Sequence, residues 1–461
     1  MFKKLLFPFL LLVFNTSLSF SQQTSKPNII IILTDDAGYE DFGCYGSTEF
    51  KTPNIDKLAK NGVRCTQAYV SGTCCSPSRA GLMTGRYQNR FGHEFNLPRR
   101  ANKGDDPELL GMDVNELTIA DLLKKEGYYT GIVGKWHLGM KKKFHPMNRG
   151  FDEFFGFLHG SRSYFPTEKA EFMEPIYRGF EKAGEQPYLT EVFTTEAIDF
   201  VKRNKEKPFF LYLSYNAVHA PMDALPEDEK LYDSIEWTKR RKLAAMTHSL
   251  DREVGRFMNT LDSLQLTENT LIFFLNDNGG ATISNGASNG KLNGQKGTVM
   301  EGGVRVPFIV HWPSKLKAKE YQHPITALDI LPTSLAVAKG KLPKDRVYDG
   351  VNILSYLRGG NLSRPHQTFY WRYNNCAAVR EGDWKLIRMP DRPAMLFNLA
   401  RDEQELIDMA IDKPELVARL YKKLFEWEKS LPYPRWRSEV KWFEEDVKRY
   451  DKAYINGKAR W

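Results

Sequence analysis

Short runs of apolar residues alternate with amphipathic segments through the first three quarters of the chain. Runs typical of buried strands, continuous rather than alternating in their apolar residues, occupy 28–33, 128–133, 208–215, 270–276 and 306–312. Segments with helical patterning lie between them at 52–62, 118–127 and 237–264. This alternation predicts an α/β fold in which helices enclose a large, mostly parallel sheet.

The pattern changes after about residue 358. Strand-like runs separated by turn residues, such as "TFYWRY" and "AMLFNLA", are followed by a helix-like segment, "KPELVARLYKKLFEWEKSL". This order predicts a small antiparallel sheet with a helix. We therefore expect a main domain over residues 22–358 and a C-terminal subdomain over residues 359–461.

The N-terminus has the features of a secretory signal peptide at residues 1–21. Lys3 and Lys4 precede an apolar stretch and then small residues, with cleavage expected after Ser21. The apolar stretch is too short to span a membrane, and no later segment is long enough either. We therefore expect an exported, periplasmic or secreted protein without a membrane span. Removing this segment lowers the formal net charge from +9 to +7.

Composition and cysteine usage narrow the class of protein. Among the 461 residues, 41% are hydrophobic and 13% aromatic, which excludes a disordered chain. The sequence contains no dense Lys/Arg block, so it does not indicate a nucleic-acid partner. The five cysteines are too few for a disulfide-stapled module, and their spacing does not match a zinc site.

Polar side chains follow four of the predicted strands. In chain order, they are Asp35 and Asp36, Lys135 and His137, His219, and Asp277 and Asn278. Parallel strands end at one edge of a sheet, where α/β proteins bind ligands. The three aspartates and the asparagine form an all-oxygen set, which favours Ca²⁺ or Mg²⁺. Without a cation, we expect the three carboxylates to repel one another.

Residues 72–86, "GTCCSPSRAGLMTGR", predict a helix that starts near Pro77 and stops near Gly85. Cys75 then lies at the N-terminus of the helix, where the dipole should lower the pKa of its thiol and make it reactive. Arg79 lies one turn further on the same face. Cys74 has no such argument and is predicted to be a packing residue.

The segment from Cys75 to Arg86 resembles the maturation signature of type I sulfatases, C-x-P-S-R followed by Leu or Met and Thr-Gly-Arg. The resemblance extends through "LTDDAGYEDFGCYG", "GIVGKWHLG", "NDNGG" and "NGQKGTVMEGGVRVP", and "VREGDWKLI" carries it into the C-terminal subdomain. It implies an alkaline-phosphatase-like fold, with residues 22–358 as the catalytic domain. It also implies that a formylglycine-generating enzyme oxidises Cys75 to Cα-formylglycine (3-oxoalanine), whose hydrate is the nucleophile.

The resemblance also assigns the remaining site residues. Those implied to bind Ca²⁺ are Asp35, Asp36, Cys75, Asp277 and Asn278. Those implied to surround the sulfate and the nucleophile are Cys75, Arg79, Lys135, His137, His219 and Lys296. In this assignment His219 or Lys296 protonates the leaving oxygen, and His137 accepts a proton when sulfate is released.

The substrate is less defined by sequence. Loops rich in Arg, His and aromatic residues predict sulfated oligo- or polysaccharides of the algal or glycosaminoglycan type, and the candidate substrate-binding residues are His93, His159, Arg162 and Arg372. The alternatives are an aryl sulfatase for small esters, a phosphatase or phosphodiesterase of the same superfamily, and a sulfated-glycan binder with unmodified Cys75.

Overall fold

The computed structural model describes residue 2 and residues 26–169, 173–438, 444–445, 448–450, 454–455 and 458–459. The signal peptide predicted at residues 1–21 lies almost wholly outside this range. Among the described residues, no helix is both long enough and apolar enough to cross a membrane.

The strands are listed here in chain order. They are β1 (Asn28–Thr34), β2 (Val63–Cys65), β3 (Ala68–Tyr69), β4 (Tyr129–Lys135), β5 (Glu153–Phe157), β6 (Tyr177–Arg178), β7 (Glu181–Lys182), β8 (Phe209–Ser214), β9 (Thr270–Asn276), β10 (Phe308–His311), β11 (Lys319–Tyr321), β12 (Ile325–Thr326), β13 (Thr368–Tyr373), β14 (Cys376–Glu381), β15 (Trp384–Arg388), β16 (Met395–Asn398), β17 (Tyr454–Ile455) and β18 (Lys458–Ala459).

The helices vary in length from one turn to seven. They are α1 (Pro53–Lys60), α2 (Cys75–Thr84), α3 (Ile119–Lys125), α4 (Leu189–Asn204), α5 (Pro226–Lys230), α6 (Thr238–Ser263), α7 (Thr282–Asn285), α8 (Glu301–Val304), α9 (Ile330–Val337), α10 (Leu354–Leu357) and α11 (Pro414–Lys429).

A ten-stranded sheet in the order β11-β2-β10-β9-β1-β8-β4-β5-β6-β7 forms the centre of the molecule. The five central strands, β9-β1-β8-β4-β5, are all parallel. The predicted strand at 306–312 is β10, which runs antiparallel to β9. The sheet is therefore mixed, and the predicted α/β class with a mostly parallel sheet is confirmed.

The run "NIIIIL" is continuous because both faces of β1 are covered. Ile29 and Ile31 pack in the core layer that contains α2, α3 and α9. Ile30 and Ile32 pack in the opposite layer, with α1, α4 and α6. Every β1 residue is buried, as expected for a central parallel strand.

The C-terminal sheet has the order β13-β14-β15-β16 and is antiparallel throughout. Helix α11 packs on one face of it. The predicted antiparallel sheet with a helix is therefore confirmed, while the domain boundary at 358–359 stays a prediction.

Candidate active site

The site is built where the central parallel strands end. Asp35 and Asp36 follow β1, and Asp277 and Asn278 follow β9. Lys135 is the last residue of β4, and His137 and His219 follow β4 and β8. The structure brings these side chains together because β4, β8, β1 and β9 are consecutive in the sheet.

Helix α2 places Cys75 at this edge. Cys74 is the extended N-cap residue, Cys75 begins the helix, and Gly85 ends it in a left-handed conformation with φ 64°. The Cys75 Sγ atom lies 3.4 Å from Asp35 Oδ1 and 3.1 Å from Lys296 Nζ. The helix boundaries match the sequence prediction, because Pro77 suits a first turn and Gly85 suits a left-handed cap.

The Cys75 thiol is not activated in the way that its position predicts. Its exposed fraction is 1%. Burial, together with the charges of Asp277 and Asp35, raises its pKa well above the ordinary value. The expectation of a lowered thiol pKa was therefore wrong, because desolvation and two carboxylates outweigh the helix dipole.

Each carboxylate has a basic partner. Lys135 forms an ion pair with Asp35, and Lys296 Nζ lies 2.7 and 2.8 Å from the two oxygens of Asp36.

Arg79 Nε and Nη2 each lie 2.9 Å from Asp277 Oδ2. The expected repulsion is present, since, besides burial, the charges of Asp35 and Asp36 raise the pKa of Asp277. Each of the three carboxylates also has a basic partner. The three basic side chains already offset the charge.

The oxygen atoms at the site nevertheless fit a hard divalent cation. Asp277 Oδ1 and Asn278 Oδ1 are buried and have no hydrogen-bond partner among the described residues. Burial and the charge of Asp35 raise the pKa of Asp277 to about 6. Buried oxygens without donors, next to acidic groups, are the ligands that Ca²⁺ or Mg²⁺ takes in proteins.

A compact group of potential metal ligands lies at the same place. One ligand atom from each of Asp35, Asp36, Cys75 and His219 falls within 4.8 Å of the others. This group contains His219, which the sequence assigned to catalysis alone, and it does not contain Asp277. The predicted and observed groups share Asp35, Asp36 and Cys75.

The surroundings of His137 keep its imidazole ring neutral. Its backbone is left-handed, with φ 59°, and its ring lies against Gly160, where a Cβ atom would be 2.7 Å from Nε2. Both ring nitrogens are buried without a partner among the described residues. Burial and the charge of Lys135 lower the pKa of His137 well below its usual value, so the ring is neutral and can accept a proton.

His219 and Lys296 differ from the rest of the site in their exposure. Their side chains are 21% and 16% exposed, whereas those of Arg79 and Lys135 are 0% exposed. His219 Nδ1 lies 2.5 Å from the carbonyl oxygen of Ala220, and Nε2 lies 3.5 Å from Asp36 Oδ2. A ligand that enters from solvent therefore meets His219 and Lys296 first.

The four candidate substrate-binding residues have different surroundings. His159 lies at the site, with its ring centroid 5.9 Å from that of His137. Arg162 is buried, donates to the carbonyl oxygens of Ser163 and Glu174, and pairs with Glu185. Its contacts make it a support for its own loop.

His93 contacts α2, and Arg372 lies on β13. His93 has no exposed surface, and its Nε2 is 2.6 Å from Ser76 Oγ. The ring of His93 is enclosed in this structure, and its role in binding substrate stays a prediction. Arg372 pairs with Glu94, with Nε 3.0 Å from Oε2.

Sequence reasoning missed two serines that support the site. Ser76 Oγ donates to the carbonyl oxygen of His137 at 2.7 Å. Ser214 Oγ accepts from Arg79 Nη1 at 2.6 Å and donates to the carbonyl oxygen of Lys135 at 2.7 Å. Ser214 ends β8, so its place at a strand end could have indicated a residue of the site. No pattern around Ser76 indicates its contact with His137.

The fold is of the alkaline-phosphatase-like class, with a large, mostly parallel sheet between helices and a small C-terminal antiparallel sheet. The structure of Phosphonate Monoester Hydrolase from Agrobacterium radiobacter shares the fold alone, with a TM-score of 0.63 at 19% identity, and covers 88% of this chain and 96% of its own.

The Sulfatase family model matches residues 27–340. The chain therefore belongs to the sulfatase family and is a sulfuric ester hydrolase.

Two relatives show how far the similarity extends. N-acetylgalactosamine-6-sulfatase of Canis lupus familiaris is 37% identical over 380 residues, 78% of this chain and 71% of the relative. N-acetylgalactosamine-6-O-sulfatase of Bacteroides thetaiotaomicron is 32% identical over 489 residues, 87% of this chain and 92% of the relative. The crystal structure of Ps i-CgsB in complex with k-i-k-neocarrahexaose has a TM-score of 0.85 at 36% identity, covering 93% of this chain and 99% of its own.

Proposed function

We propose that this sulfatase removes sulfate from a sulfated sugar within an oligo- or polysaccharide, with Cys75 converted to Cα-formylglycine and one Ca²⁺ bound. The observation that carries the proposal is the placement of Cys75 at the start of α2, between Asp35 and Lys296. The sugar substrate is supported by relatives named for N-acetylgalactosamine sulfate and by the neighbour solved with a carrageenan-type hexaose.

The state of the Cys75 thiol supports its conversion. Because burial and two carboxylates raise the pKa of Cys75, the unmodified side chain is a poor nucleophile at neutral pH. Once formed, the hydrated formylglycine would supply one hydroxyl as the nucleophile for sulfur, and its second hydroxyl would allow sulfate to be released. The partner that this requires is a formylglycine-generating maturation enzyme.

The residues that would hold Ca²⁺ are Asp35, Asp36, Cys75, Asp277 and Asn278. The support is the set of oxygen ligands, two of which are buried without a partner in the described structure. When bound, the ion supplies positive charge against the sulfate oxygens and the nucleophile.

The positions of the other site residues indicate different roles in the reaction. Lys135 and Arg79 are buried behind the nucleophile, where they hold Asp35 and Asp277 and keep positive potential at the bottom of the site. His137, being neutral, accepts a proton when sulfate is released.

His219 and Lys296 lie on the solvent side, so they face the departing sugar oxygen. Either is a candidate to deliver a proton to that oxygen. Lys296 carries a proton, because the charge of Asp36 outweighs burial and raises its pKa. Burial lowers the pKa of His219, so His219 acts as the acid only when Nε2 is protonated while Nδ1 donates to the carbonyl oxygen of Ala220.

We infer that the protein acts outside the cytoplasm, in the periplasm or after secretion. The support is the signal-peptide pattern of residues 1–21, with Lys3 and Lys4 before an apolar stretch. Sulfated oligosaccharides, which are too large and charged to enter a cell freely, are consistent with that location.

The test combines maturation with substrate choice. The protein is expressed with a formylglycine-generating enzyme, the Cys75 peptide is analysed by mass spectrometry, and sulfate release is measured on chondroitin 6-sulfate and carrageenan oligosaccharides beside nitrophenyl sulfate. We expect an aldehyde at Cys75 and higher kcat/KM on at least one glycan. Cys75→Ala should abolish turnover, and Cys44→Ala, a half-buried cysteine outside the cluster, should not.

Three results would contradict the proposal in different ways. Full activity with only a free thiol at Cys75 would remove the formylglycine assignment. Far higher kcat/KM on nitrophenyl sulfate than on every glycan would favour an aryl sulfatase. Glycan binding without turnover in fully converted protein would favour a binder.

A further inference from the structure

Two of the candidate cation ligands, Asp35 and Asp277, use their two carboxylate oxygens differently. Oδ2 of Asp277 accepts from Arg79, whose Nε and Nη2 atoms each lie 2.9 Å away, whereas Oδ1 has no partner among the described residues. Oδ2 of Asp35 pairs with Lys135 and lies 3.4 Å from Arg79 Nη2. Oδ1 of Asp35 lies 3.4 Å from Cys75 Sγ. In both aspartates the buried bases therefore hold Oδ2, and Oδ1 remains for a cation.

Ser214, the last residue of β8, contacts both of these bases. Its Oγ atom accepts a hydrogen bond from Arg79 Nη1 at 2.6 Å and donates one to the carbonyl oxygen of Lys135 at 2.7 Å. Arg79 Nη1 also lies 3.1 Å from that carbonyl oxygen. Ser214 is the partner of Gly134 in the sheet, which brings its hydroxyl to the end of β4. One hydroxyl therefore joins the Arg79 side chain to the backbone that carries Lys135.

The contacts of Ser214 lie away from solvent. Ser214, Arg79 and Lys135 have no exposed surface. Without the serine hydroxyl, Arg79 Nη1 would keep only the Lys135 carbonyl oxygen of these two acceptors, and no bulk water would replace the lost one. A guanidinium is planar and its donors have fixed relative positions. A shift at Nη1 therefore also moves Nε and Nη2, the two atoms that hold Asp277.

We propose that Ser214 positions two ligands of the cation. By fixing Arg79 and the end of β4, its hydroxyl keeps the Oδ1 atoms of Asp35 and Asp277 directed at the ion. This proposal rests on the proposed function, since it takes Ca²⁺ as the ion, and it adds a residue outside the ligand set that determines how tightly the ion binds. Loss of a partner that orients a metal ligand typically lowers metal affinity about 10- to 100-fold.

The test measures Ca²⁺ binding directly, without substrate. The matured wild type and three Ser214 variants are freed of metal with EDTA and titrated with Ca²⁺ by calorimetry. We expect about tenfold weaker binding in Ser214→Ala, because the serine acts on Asp277 through Arg79. Ser214→Thr, which keeps the hydroxyl, should restore most of the affinity. Ser214→Cys, which fills the same space with a weak hydrogen-bonding group, should stay weakened.

Ser249→Ala is the matched control. Ser249 lies on α6 and is also fully buried, and its hydroxyl contacts Asp228 Oδ2 and the carbonyl oxygen of Ala245. Its loss removes comparable buried contacts on a helix of the layer opposite α2, so we expect an unchanged Kd for Ca²⁺. The denaturation midpoint without Ca²⁺ is measured for every variant, which separates a loss of affinity from a loss of stability.

The outcomes distinguish this proposal from the proposed function. An unchanged Kd for Ca²⁺ in Ser214→Ala would overturn the role of Ser214 and leave the calcium assignment intact, and so would equal weakening in Ser249→Ala. If Ser214→Ala does not fold, the Kd of Ser214→Cys decides in the same way. A wild type that binds no Ca²⁺ would overturn the calcium assignment, and this proposal with it.

Discussion

Exposure separates the residues that meet the substrate from those that support the site. His219 and Lys296 are the half-buried members of the cluster, and Cys75, Arg79 and Lys135 are enclosed. A proton donor to the leaving oxygen must reach the side of the site from which the sugar departs. The choice between the two exposed groups is therefore an experimental question about leaving groups.

We expect His219→Ala to reduce kcat/KM on sugar sulfates by about 10²–10⁴ and to have a smaller effect on nitrophenyl sulfate. The physical reason is that a sugar alkoxide is a poor leaving group and needs a proton, whereas nitrophenolate does not. The measurement is sulfate release from both substrate types for His219→Ala and Lys296→Ala. Equal losses on both types in His219→Ala would transfer the acid role to Lys296.

Ser76 is expected to position His137 through its backbone. Its hydroxyl donates to the carbonyl oxygen of His137, a residue that has a left-handed backbone, and His93 Nε2 lies 2.6 Å from the same hydroxyl. We expect Ser76→Ala to lower kcat about tenfold, with KM changed less than twofold, and Ser76→Thr to restore most of the loss.

Activity in this experiment is expressed per mole of aldehyde, because Ser76 lies inside the maturation signature. A loss that is accounted for by lower aldehyde content, or by a lower denaturation midpoint, would mean that Ser76 serves maturation or stability and not His137. Thr at this position keeps the hydroxyl and so controls for the hydrogen bond itself.

The sequence predicted which side chains lie together at the candidate site, because strand ends in a parallel sheet converge by topology. Asp35, His219 and Asp277 could be placed together from that rule alone. Ser76 and His93 could not, because their contact joins two segments whose relative packing no local pattern specifies. The pKa of Cys75 was mispredicted for a similar reason, since burial and the distant Asp277 decide it.

At the scale of elements, sequence patterns predicted the limits of helices more reliably than the direction of strands. Helices α1, α2 and α6 begin and end within a residue or two of their predicted limits, because Pro, Gly and amphipathic spacing mark them. Strand β10 has the same apolar pattern as its parallel neighbours but runs antiparallel. Periodicity reports burial and carries no information on direction.

The helix that carries Cys75 depends on its C-terminal glycine. Gly85 has φ 64°, and a Cβ atom there would lie 3.1 Å from Leu331 Cβ. We expect Gly85→Ala to lower the free energy of unfolding by about 1–2 kcal/mol, because a left-handed alanine is strained and also crowds α9.

Gly127→Ala is the matched control for that change. Gly127 has φ 85°, and nothing lies within 4 Å of the added Cβ, so it carries the backbone cost without the crowding. Urea denaturation of both variants measures the difference. A smaller loss for Gly85→Ala than for Gly127→Ala would show that the contact with Leu331 is not destabilising.

At the scale of the whole molecule, the C-terminal sheet shares an apolar core with β3 and with the segment around Val299. Phe369 and Trp371 of β13 pack with Tyr69 of β3 and with Val299, three residues after Lys296. The C-terminal subdomain therefore stabilises the segment that carries Lys296. The pattern of apolar and polar residues changes near residue 358, but it does not predict this shared packing, which depends on long-range contacts.

A buried ionic cluster joins the same two parts of the chain. Lys385 of β15 lies 2.9 Å from Glu301 and 2.8 Å from Glu405, and all three side chains are fully buried. Glu301 also accepts a hydrogen bond from the Tyr69 hydroxyl at 2.6 Å. Burial raises the pKa of Glu301, but Lys385, Arg380 and Arg305 outweigh it and lower that pKa. Two carboxylates thus share one buried lysine, and Glu405 is the one that is less well compensated.

This cluster predicts that stability falls between mildly acidic and mildly alkaline pH. Burial raises the pKa of Glu405 from 4.5 to about 7, with Lys385 opposing and Glu301 reinforcing the shift. A carboxyl group with a raised folded-state pKa holds its proton in the folded protein when the unfolded chain has lost it. Its contribution to stability is therefore fully present below pH 4.5 and is lost as the pH rises through 7.

The measurement is the guanidinium denaturation midpoint at pH 5.5 and pH 8.0 for the wild type and for Glu405→Gln. Because Gln keeps a neutral group at this position, we expect the variant to lose less stability than the wild type between the two pH values. Glu403→Gln is the control, since Arg305 and Lys291 lower the pKa of Glu403 and leave it ionised at both pH values. If Glu405→Gln retained the pH dependence of the wild type, Glu405 would not be the group that titrates in this range.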